Sequence, residues 1–333
     1  MNFLETLEQY KVDGLLYNQV HPDLPLTIWN YTQRVQYEGL WDEITLQCRG
    51  LVTDDKGNVA ARPFKKFFNI EENKHVATDD FEIFEKLDGS LIIVFWYNDQ
   101  RIVASRGSFT SDHVKWAIEI LEAIPHFDLI VSIYTDCTMC FELIHPDNRI
   151  VVDYGDNKSL ILTGLFQTDT GKECDMDHDL REWISVVEKF KGLDYKNIKQ
   201  LNWRNSEGFV VRFSNGDRCK IKFEDYIRLH RLMTNISEKR IWEALKDDVP
   251  ITLILQDVPD EFFQEVKAIE DKFIESYNLI QKDVTDRYFI ELAFYTDRKS
   301  LSESIKDYQY KQILFAIFDN KEYSKLIWKM LKP

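Results

Sequence analysis

Residues 85–90 decide the fold expected of this chain, and they are Glu-Lys-Leu-Asp-Gly-Ser. The Asp-Gly pair predicts a turn, and the continuous apolar run that follows at 91–97 predicts a buried strand. Lys86 ends the preceding strand-like segment and therefore stands beside the turn. We expect this arrangement to present its amine at the rim of a pocket, where the amine could attack a phosphorus atom.

Four other short motifs, far from residues 85–90 in sequence, carry charges that nucleotidyl transfer requires. They are Arg49-Gly50, residues 141–144 with Glu142, residues 207–211 beginning with Glu207, and Lys220-Ile221-Lys222. Each motif alone is weak evidence, because a single charged residue is more often a solvated surface group. Their joint presence in this order makes a nucleotide site the stronger interpretation.

The clearest local structure is a hairpin over 207–223. Asn215-Gly216 separates two strand-like runs, and this dipeptide is the strongest short signal for a hairpin turn. Side chains alternate along a strand, so Lys220 and Lys222 are predicted to share one face.

The two strand lysines explain how Lys86 could act as a nucleophile. A lysine amine is protonated near neutral pH and cannot attack in that form. Neighbouring cations lower the pKa of a lysine, so we expect Lys220 and Lys222 to activate Lys86. They would also neutralise a triphosphate during attack at its α-phosphorus.

Two glutamates are candidate ligands for the rest of a nucleotide. Glu142 lies within an apolar strand, either on an exposed face or in a pocket, where it could accept a hydrogen bond from a ribose hydroxyl. Glu207 precedes Gly208 and an apolar strand, so it is either a surface residue or a ligand for Mg²⁺, which prefers carboxylate oxygens.

Three further cations are candidate phosphate ligands. Arg49 is followed by a glycine that allows close backbone approach, and its guanidinium suits phosphate oxygens. Lys66 lies among aromatic residues at 62–69, and Arg106 lies in Ser-Arg-Gly-Ser at 105–108. Each of these residues alone is more often a solvated surface charge.

The chain of 333 residues is long enough for two domains. We predict an α+β fold: a domain with mixed or antiparallel sheets over 1–238, and an all-helical domain over 239–333, where apolar residues follow helical spacing. Finer predictions are a helix at 111–124, strands at 149–154 and 160–166, and a helix at 180–190.

Composition narrows the class of protein. A net charge of −15 disfavours a protein that coats nucleic acid non-specifically, although it allows a local basic cleft. Aromatic residues make up 14% of the chain; most are expected in the core, and some could stack on bases. Five scattered cysteines, an acidic N-terminus and the lack of a long apolar run predict reduced thiols, a cytoplasmic location and no membrane contact.

The motifs, taken together, resemble the covalent nucleotidyltransferase superfamily of ATP-dependent ligases and mRNA capping enzymes. Its pattern of K-x-D-G, a strand acid, E-G-x-V and K-x-K corresponds to residues 86–89, 141–142, 207–210 and 220–222. The motifs at 48–51, 62–69, 105–108 and 141–151 are similar to those of the phage-T4-type RNA ligase 1 family. The resemblance implies a nucleotidyltransferase (ATP-grasp-like ligase) domain.

The resemblance also implies a role for each matching residue. Lys86 would become adenylylated, with Lys220 and Lys222 as the other catalytic residues at the α-phosphate. Arg49 and Lys66 would contact the β- and γ-phosphates, and Arg106 would face the nucleotide. Glu142 would hold the ribose, Glu207 would assist a metal ion, and an adenine wall is expected near residues 165–166. The remaining expected ATP-binding and turn-shaping residues are Glu85, Leu87, Asp88, Gly89 and Gly208.

The implied function is ATP-dependent joining of 5′-phosphate and 3′-OH RNA ends, with Mg²⁺ or Mn²⁺. A nicked tRNA in a bacterial or phage-infected cytoplasm is the family-level expectation for the substrate, and a monomer is the default state. No Walker A motif is present, so we do not expect this chain to prepare the ends itself; whether a separate kinase and phosphatase do so stays open. The alternatives are an mRNA guanylyltransferase, a DNA ligase, or a catalytically silent RNA-binding homologue.

Overall fold

The structure is a computed structural model that describes residues 2–176, 178–234, 237–255, 258, 262–292, 294–295 and 297–333. The chain divides into two compact units, Met1–Met233 and Thr234–Pro333. Among the residues described, no helix combines the length and the apolar character that crossing a membrane would require.

The first unit contains all the strands of the described residues. They are β1 (Leu16–Val20), β2 (Leu26–Tyr31), β3 (Arg49–Asp54), β4 (Val59–Ala61), β5 (Phe68–Asn69), β6 (Phe81–Lys86), β7 (Ser90–Tyr97), β8 (Gln100–Ser105), β9 (Cys137–Ile144), β10 (Ser159–Gln167), β11 (Lys189–Phe190), β12 (Gly208–Phe213) and β13 (Arg218–Lys222).

These strands form three sheets. Sheet I has the order β1-β2-β3-β4, sheet II has β10-β9-β7-β8, and sheet III has β11-β6-β12-β13-β5. The described strand pairs are antiparallel except for β13 and β5, which run parallel. The predicted α+β fold with mixed and antiparallel sheets is therefore confirmed.

The α-helices of the first unit are α1 (Phe3–Val12), α2 (Gln33–Glu38), α3 (Glu43–Gln47), α4 (Asp112–Ala123), α5 (Phe127–Ile130), α6 (His178–Trp183) and α7 (Glu224–Thr234). Helix α4 confirms the helix predicted at 111–124. Its apolar residues Val114, Ala117 and Leu121 follow helical spacing and pack on one face of sheet II.

Side chains alternate between the two faces of each strand, so the sheets bury apolar residues in separate core clusters. The other face of sheet II packs against sheet I through residues such as Ile93, Phe95 and Val52. Sheet III buries one face through Ile83, Phe209 and other apolar side chains. Its opposite face carries charged side chains, and this polar face forms the candidate site.

The predicted hairpin over 207–223 is confirmed, with β12 and β13 joined by residues 214–217 and with Gly216 in a left-handed conformation at φ 88°. The strand predicted at 160–166 is also confirmed, as β10.

The strand predicted at 149–154 is wrong. This segment is irregular, and the N–H groups of Val151 and Val152 donate to the buried Asp88 carboxylate instead of to a neighbouring strand. The helix predicted at 180–190 extends only through α6, after which β11 pairs with β6.

The second unit is helical in its described residues, as predicted. Its helices are α8 (Glu238–Lys246), α9 (Ile251–Ile254), α10 (Phe263–Leu292), α11 (Arg298–Ser304), α12 (Lys311–Phe318) and α13 (Ser324–Met330). Ile280 and Val284 of α10 pack with Ile313 of α12 and Ile327 of α13 in a core of their own.

Candidate active site

The K-x-D-G turn is the point at which the chain crosses from sheet III to sheet II. Strand β6 ends at Lys86 and β7 begins at Ser90. Gly89 is required here, because an added Cβ would lie 2.3 Å from the Leu143 carbonyl oxygen. The Gly89 N–H donates to Glu142 Oε1 at 3.1 Å, so the turn binds directly to the acidic residue of β9.

Asp88 stabilises the K-x-D-G turn from the interior of the protein and is only 4% exposed. Its Oδ2 accepts hydrogen bonds from the N–H groups of Val151 and Val152, both at 2.8 Å. Its Oδ1 accepts a bond from the Tyr226 hydroxyl at 2.7 Å. The carboxylate therefore acts as a structural tie, and three donors compensate for its burial.

Glu207 joins two of the three predicted catalytic lysines. Its Oε2 lies 2.8 Å from Lys86 Nζ, and its Oε1 lies 3.0 Å from Lys222 Nζ. The register explains this meeting, because Gly208 of β12 is opposite Lys86 on one side and Lys222 on the other. Gly208 contributes no side chain between the two amines, and an added Cβ would lie 2.0 Å from the Ile221 carbonyl oxygen.

The charges of Lys86 and Lys222 determine the protonation state of Glu207. Burial by itself raises the pKa of Glu207, but the ion pairs with Lys86 and Lys222 outweigh burial and hold the pKa below its usual range. Glu207 is therefore a carboxylate, 3% exposed, that serves as the counter-ion of both lysines. Lys220 lies on the same face of β13 as Lys222 and is also buried.

Glu142 is the second carboxylate of the site. It lies on β9 opposite Leu91 of β7 and Ile161 of β10. Burial raises the pKa of Glu142 to about 7, Glu207 adds to the rise, and the charges of Lys86 and Arg49 oppose it. Arg49, at the start of β3, is therefore one of the charges that act on the Glu142 carboxyl.

The other two predicted phosphate ligands share one aromatic ring. The Arg106 guanidinium carbon lies 5.0 Å from the Tyr31 ring centroid, and Lys66 Nζ lies 5.7 Å from the same centroid. Lys66 Nζ also lies 5.6 Å from the Trp41 ring and is 7% exposed. Asn30 fixes Arg106 by donating from Nδ2 to its carbonyl oxygen at 2.9 Å. Sequence reasoning missed Asn30, Tyr31 and Trp41, which belong to no motif.

Four further residues predicted to lie near the nucleotide are Glu85, Leu87 and residues 165–166. Strand alternation places the Glu85 side chain on the face of β6 opposite to Lys86, where burial and then Glu188 raise its pKa. Leu87 packs in an apolar cluster with Phe84 and Ile144. Residues 165–166, expected near adenine, are buried in two different cores.

A network of charges on the same face of sheet III also escaped sequence reasoning. Arg212 Nη1 lies 2.7 Å from Glu173 Oε1, and Arg218 pairs with the other oxygen of this carboxylate. Arg212 also pairs with Glu82. Glu173 bridges to Phe166 of sheet II, so the network ties that sheet to the strands carrying the lysines.

The donor set fits a divalent metal ion that arrives with phosphates. Among the described residues, no group of three or more His, Cys, Asp or Glu side chains is arranged to hold an ion. Glu207 binds two lysines through its two oxygens, so it would have to release one lysine to bind a metal ion. Mg²⁺ is often held by one or two carboxylates together with substrate phosphates, and this mode suits Glu207 and Glu142.

The sequence profile of a family described as RNA ligase matches residues 47–227, which is more than half of the chain. The chain belongs to this T4-type RNA ligase family. The matched span contains every residue predicted for the site, from Arg49 to Lys222, and it ends within the first unit.

Individual RNA ligases are only distantly similar to this family member. A protein of Autographa californica nuclear polyhedrosis virus, named as a bifunctional polynucleotide kinase/RNA ligase, is 25% identical over 309 residues; the match covers 78% of this chain and 42% of that protein. The RNA ligase of Rhodothermus phage RM378 is 20% identical, over 83% of this chain and 82% of that protein. An archaeal ATP-dependent RNA ligase structure is 14% identical, with a TM-score of 0.49, over 78% of this chain and 70% of that one. The match thus spans less than half the length of the polyhedrosis virus protein.

Proposed function

We propose that the protein is an ATP-dependent RNA ligase that joins a 5′-phosphate to a 3′-hydroxyl through a lysyl–AMP intermediate on Lys86. The proposal rests on two ion pairs: Glu207 lies 2.8 Å from Lys86 Nζ and 3.0 Å from Lys222 Nζ. They bring an amine nucleophile, a second cation and their shared carboxylate counter-ion together beside the turn that binds Glu142.

In the first step, Lys86 Nζ attacks the α-phosphorus of ATP. A phosphorus–nitrogen bond forms, the bond to the bridging oxygen breaks, and pyrophosphate leaves. The ammonium must lose a proton to solvent first, and its ion pair with Glu207 Oε2, at 2.8 Å, holds the amine in place. Lys220 and Lys222 neutralise the charge at the α-phosphate, Arg49 and Lys66 hold the leaving pyrophosphate, and Arg106 faces the nucleotide.

The next two steps use the same site. The 5′-phosphate oxygen of RNA attacks the AMP phosphorus, the bond to Lys86 breaks, and a 5′–5′ activated end forms. The 3′-hydroxyl oxygen of a second end then attacks that 5′-phosphate and displaces AMP. Glu142 accepts a hydrogen bond from the ribose of AMP throughout, and a bound Mg²⁺ or Mn²⁺ ion would supply charge neutralisation at the phosphate oxygens.

The first test is to incubate the protein with Mg²⁺ and ATP labelled at the α-phosphate and to look for label on denatured protein. Label is expected on the parent and on Lys65→Ala, a control in which an exposed lysine near the site is removed. It should be absent from Lys86→Ala. Label from GTP alone would favour a guanylyltransferase. No label from either nucleotide on folded protein would favour a silent RNA-binding homologue.

A second test separates RNA ligation from DNA ligation. Labelled enzyme should transfer AMP to 5′-phosphate RNA and seal it to a 3′-hydroxyl RNA end. Transfer to nicked duplex DNA alone would contradict the RNA assignment.

We assign adenylyl transfer to a domain of residues 1–238 and expect an all-helical accessory domain at 239–333. We further propose that the enzyme works as a monomer in cytoplasm on RNA breaks such as a nicked tRNA, after a separate kinase and phosphatase have prepared the ends. The unpaired state of all five cysteines supports a reducing compartment. Mass photometry and ligation of nicked tRNA with and without added end-healing enzymes would test these proposals.

A further inference from the structure

Residues 189–204 carry a charge opposite to that of the whole chain. This basic segment contains five basic residues and one acidic residue, a net charge of +4, in a protein whose net charge is −15. A basic stretch on an acidic body is the electrostatic footprint expected of a local polyanion site.

The basic segment is held in place at several points. At its start, β11 pairs with β6. In its middle, Lys199 Nζ lies 2.7 Å from Glu71 Oε1. Near its end, Asn202 Nδ2 donates to Asp225 Oδ2 at 3.2 Å. A surface fixed in this way requires little ordering when it binds a ligand.

Two of the five cations serve these internal contacts, and three point outward. Lys189 pairs with Glu82, and Lys199 pairs with Glu71. Lys191, Lys196 and Arg204 are exposed, and within the described part of the chain no carboxylate forms an ion pair with them. Their charges are therefore available to an external anion.

An aromatic ring accompanies these three cations. Trp203, the residue before Arg204, is 39% exposed. Its ring centroid lies 5.3 Å from that of Phe190 and 5.1 Å from that of Phe209, both edge to face. These neighbours fix the ring while leaving part of its surface open. Cations that track a backbone, combined with a ring on which a base can stack, are the features that bind single-stranded nucleic acid.

The position of the basic segment connects it with the proposed reaction. Lys189 lies opposite Phe84 on β6, the strand that ends at Lys86. At its other end, Arg204 precedes Glu207 by three residues. Trp203 packs on Phe209, on the apolar face of sheet III, whereas Lys86 lies on the opposite face. The basic segment therefore borders the site at the β6 edge of the sheet and, along the chain, just before Glu207.

We propose that the basic segment is the docking surface for the single-stranded part of the RNA substrate, with Lys191, Lys196 and Arg204 on phosphates and Trp203 on a base. The inference rests on the proposed ligase function and adds the substrate contact. Step 1 of the reaction needs only ATP, so the docking surface should matter for RNA binding and AMP transfer and not for self-adenylylation.

The test uses the full chain with Lys191, Lys196 and Arg204 all changed to alanine. Binding of a short 5′-phosphorylated RNA is measured by fluorescence anisotropy at salt concentrations between about 50 and 200 mM. On single strands each phosphate contact contributes about 0.7 to the slope of log K against log salt, so the slope should fall by about 2. Self-adenylylation with labelled ATP should stay within about twofold of the parent, whereas transfer of AMP to RNA at low RNA concentration should fall in step with binding.

A control with the same change in charge replaces Lys56, Lys158 and Lys172, which are exposed in the same unit. It should keep the parent's salt slope to within one phosphate contact. A separate variant, Trp203→Leu, keeps an apolar side chain next to Phe190 and Phe209 and removes the stacking surface. It should weaken RNA binding about tenfold with the salt slope unchanged.

Two results would overturn the docking surface while leaving the ligase function intact. One is a triple variant that binds RNA with the parent's affinity and slope; the other is equal loss in the control variant. Loss of self-adenylylation in the triple variant would also overturn it, because the segment would then serve the nucleotide site. Failure of the parent itself to form lysyl–AMP would instead contradict the proposed function.

Discussion

Changing Glu142 to glutamine should make the protein more stable and less active. The Glu142 side chain is half-buried, and loss of solvent, with the charge of Glu207 adding to it, raises its pKa to about 7. Glutamine keeps the shape of the side chain and an oxygen that can accept the Gly89 N–H bond, now at 3.1 Å. The substitution therefore removes the charge with little change in packing.

The size of the effect follows from the shift in pKa. A rise from 4.5 to about 7 corresponds to about 3 kcal/mol, at about 1.36 kcal/mol per pKa unit. Between these pH values the folded state binds more protons than the unfolded state, so the contribution of Glu142 to stability falls as pH rises. Above pH 7 the Glu142 carboxyl is ionised in both the folded and the unfolded state, and the folded state carries the full free-energy cost of the partly desolvated charge. The stability gain of Glu142→Gln should thus be near zero below the lower value and approach about 3 kcal/mol above the higher one.

Urea unfolding followed by far-UV circular dichroism at pH 5 and pH 8 would measure this gain. Glu122→Gln, which alters an exposed glutamate of α4, is the control and should show no such pH dependence. A variant-minus-parent difference that is the same at both pH values would refute the raised pKa. Self-adenylylation should fall at least tenfold, since the neutral amide is a weaker acceptor for a ribose hydroxyl than a carboxylate; unchanged activity would refute the ribose role.

Three further substitutions test other parts of the site. Glu207→Gln leaves two lysine ammonium groups without their shared counter-ion, so it should abolish lysyl–AMP formation and destabilise the first unit by roughly 3–5 kcal/mol in urea unfolding; a fully active variant would contradict this. Tyr226→Phe removes one of three donors to the buried Asp88 carboxylate and should cost about 1.5–3 kcal/mol in the same measurement, with no loss expected if the bond is absent in solution. Gly208→Ala has to place a Cβ 2.0 Å from the Ile221 carbonyl at φ 147°, so it should cost at least about 2 kcal/mol and slow adenylylation, and a thermal melt like the parent's would argue against the strand geometry.

Local patterns were sufficient to predict several elements. The Asn215-Gly216 pair predicted the β12–β13 hairpin, since positive φ at a glycine depends on the residue itself and not on distant contacts. The spacing of Val114, Ala117 and Leu121 predicted α4 for a similar reason. Both features are fixed by neighbours along the chain.

Two predicted elements were wrong because distant groups changed the backbone pairing. The segment 149–154 has the composition of a strand, yet the N–H groups of Val151 and Val152 bond to Asp88 and are lost to any ladder. The predicted helix at 180–190 is cut short because the edge of β6 is available to β11. Propensity is a weak guide where a buried acceptor or an open sheet edge competes for the same backbone groups.

By itself, the sequence determined which chemistry is available: a lysine beside a turn, two strand lysines on one face, two glutamates and several phosphate-binding cations. Those inferences need only residue type and alternation along a strand. Only the tertiary structure decided how these groups are paired. It made Glu207 the shared counter-ion of Lys86 and Lys222, bound Glu142 to the K-x-D-G turn, and tied two sheets through Glu173. Burial and interatomic distance set these ion pairs and the pKa values that follow from them, and both depend on contacts between residues far apart in the chain.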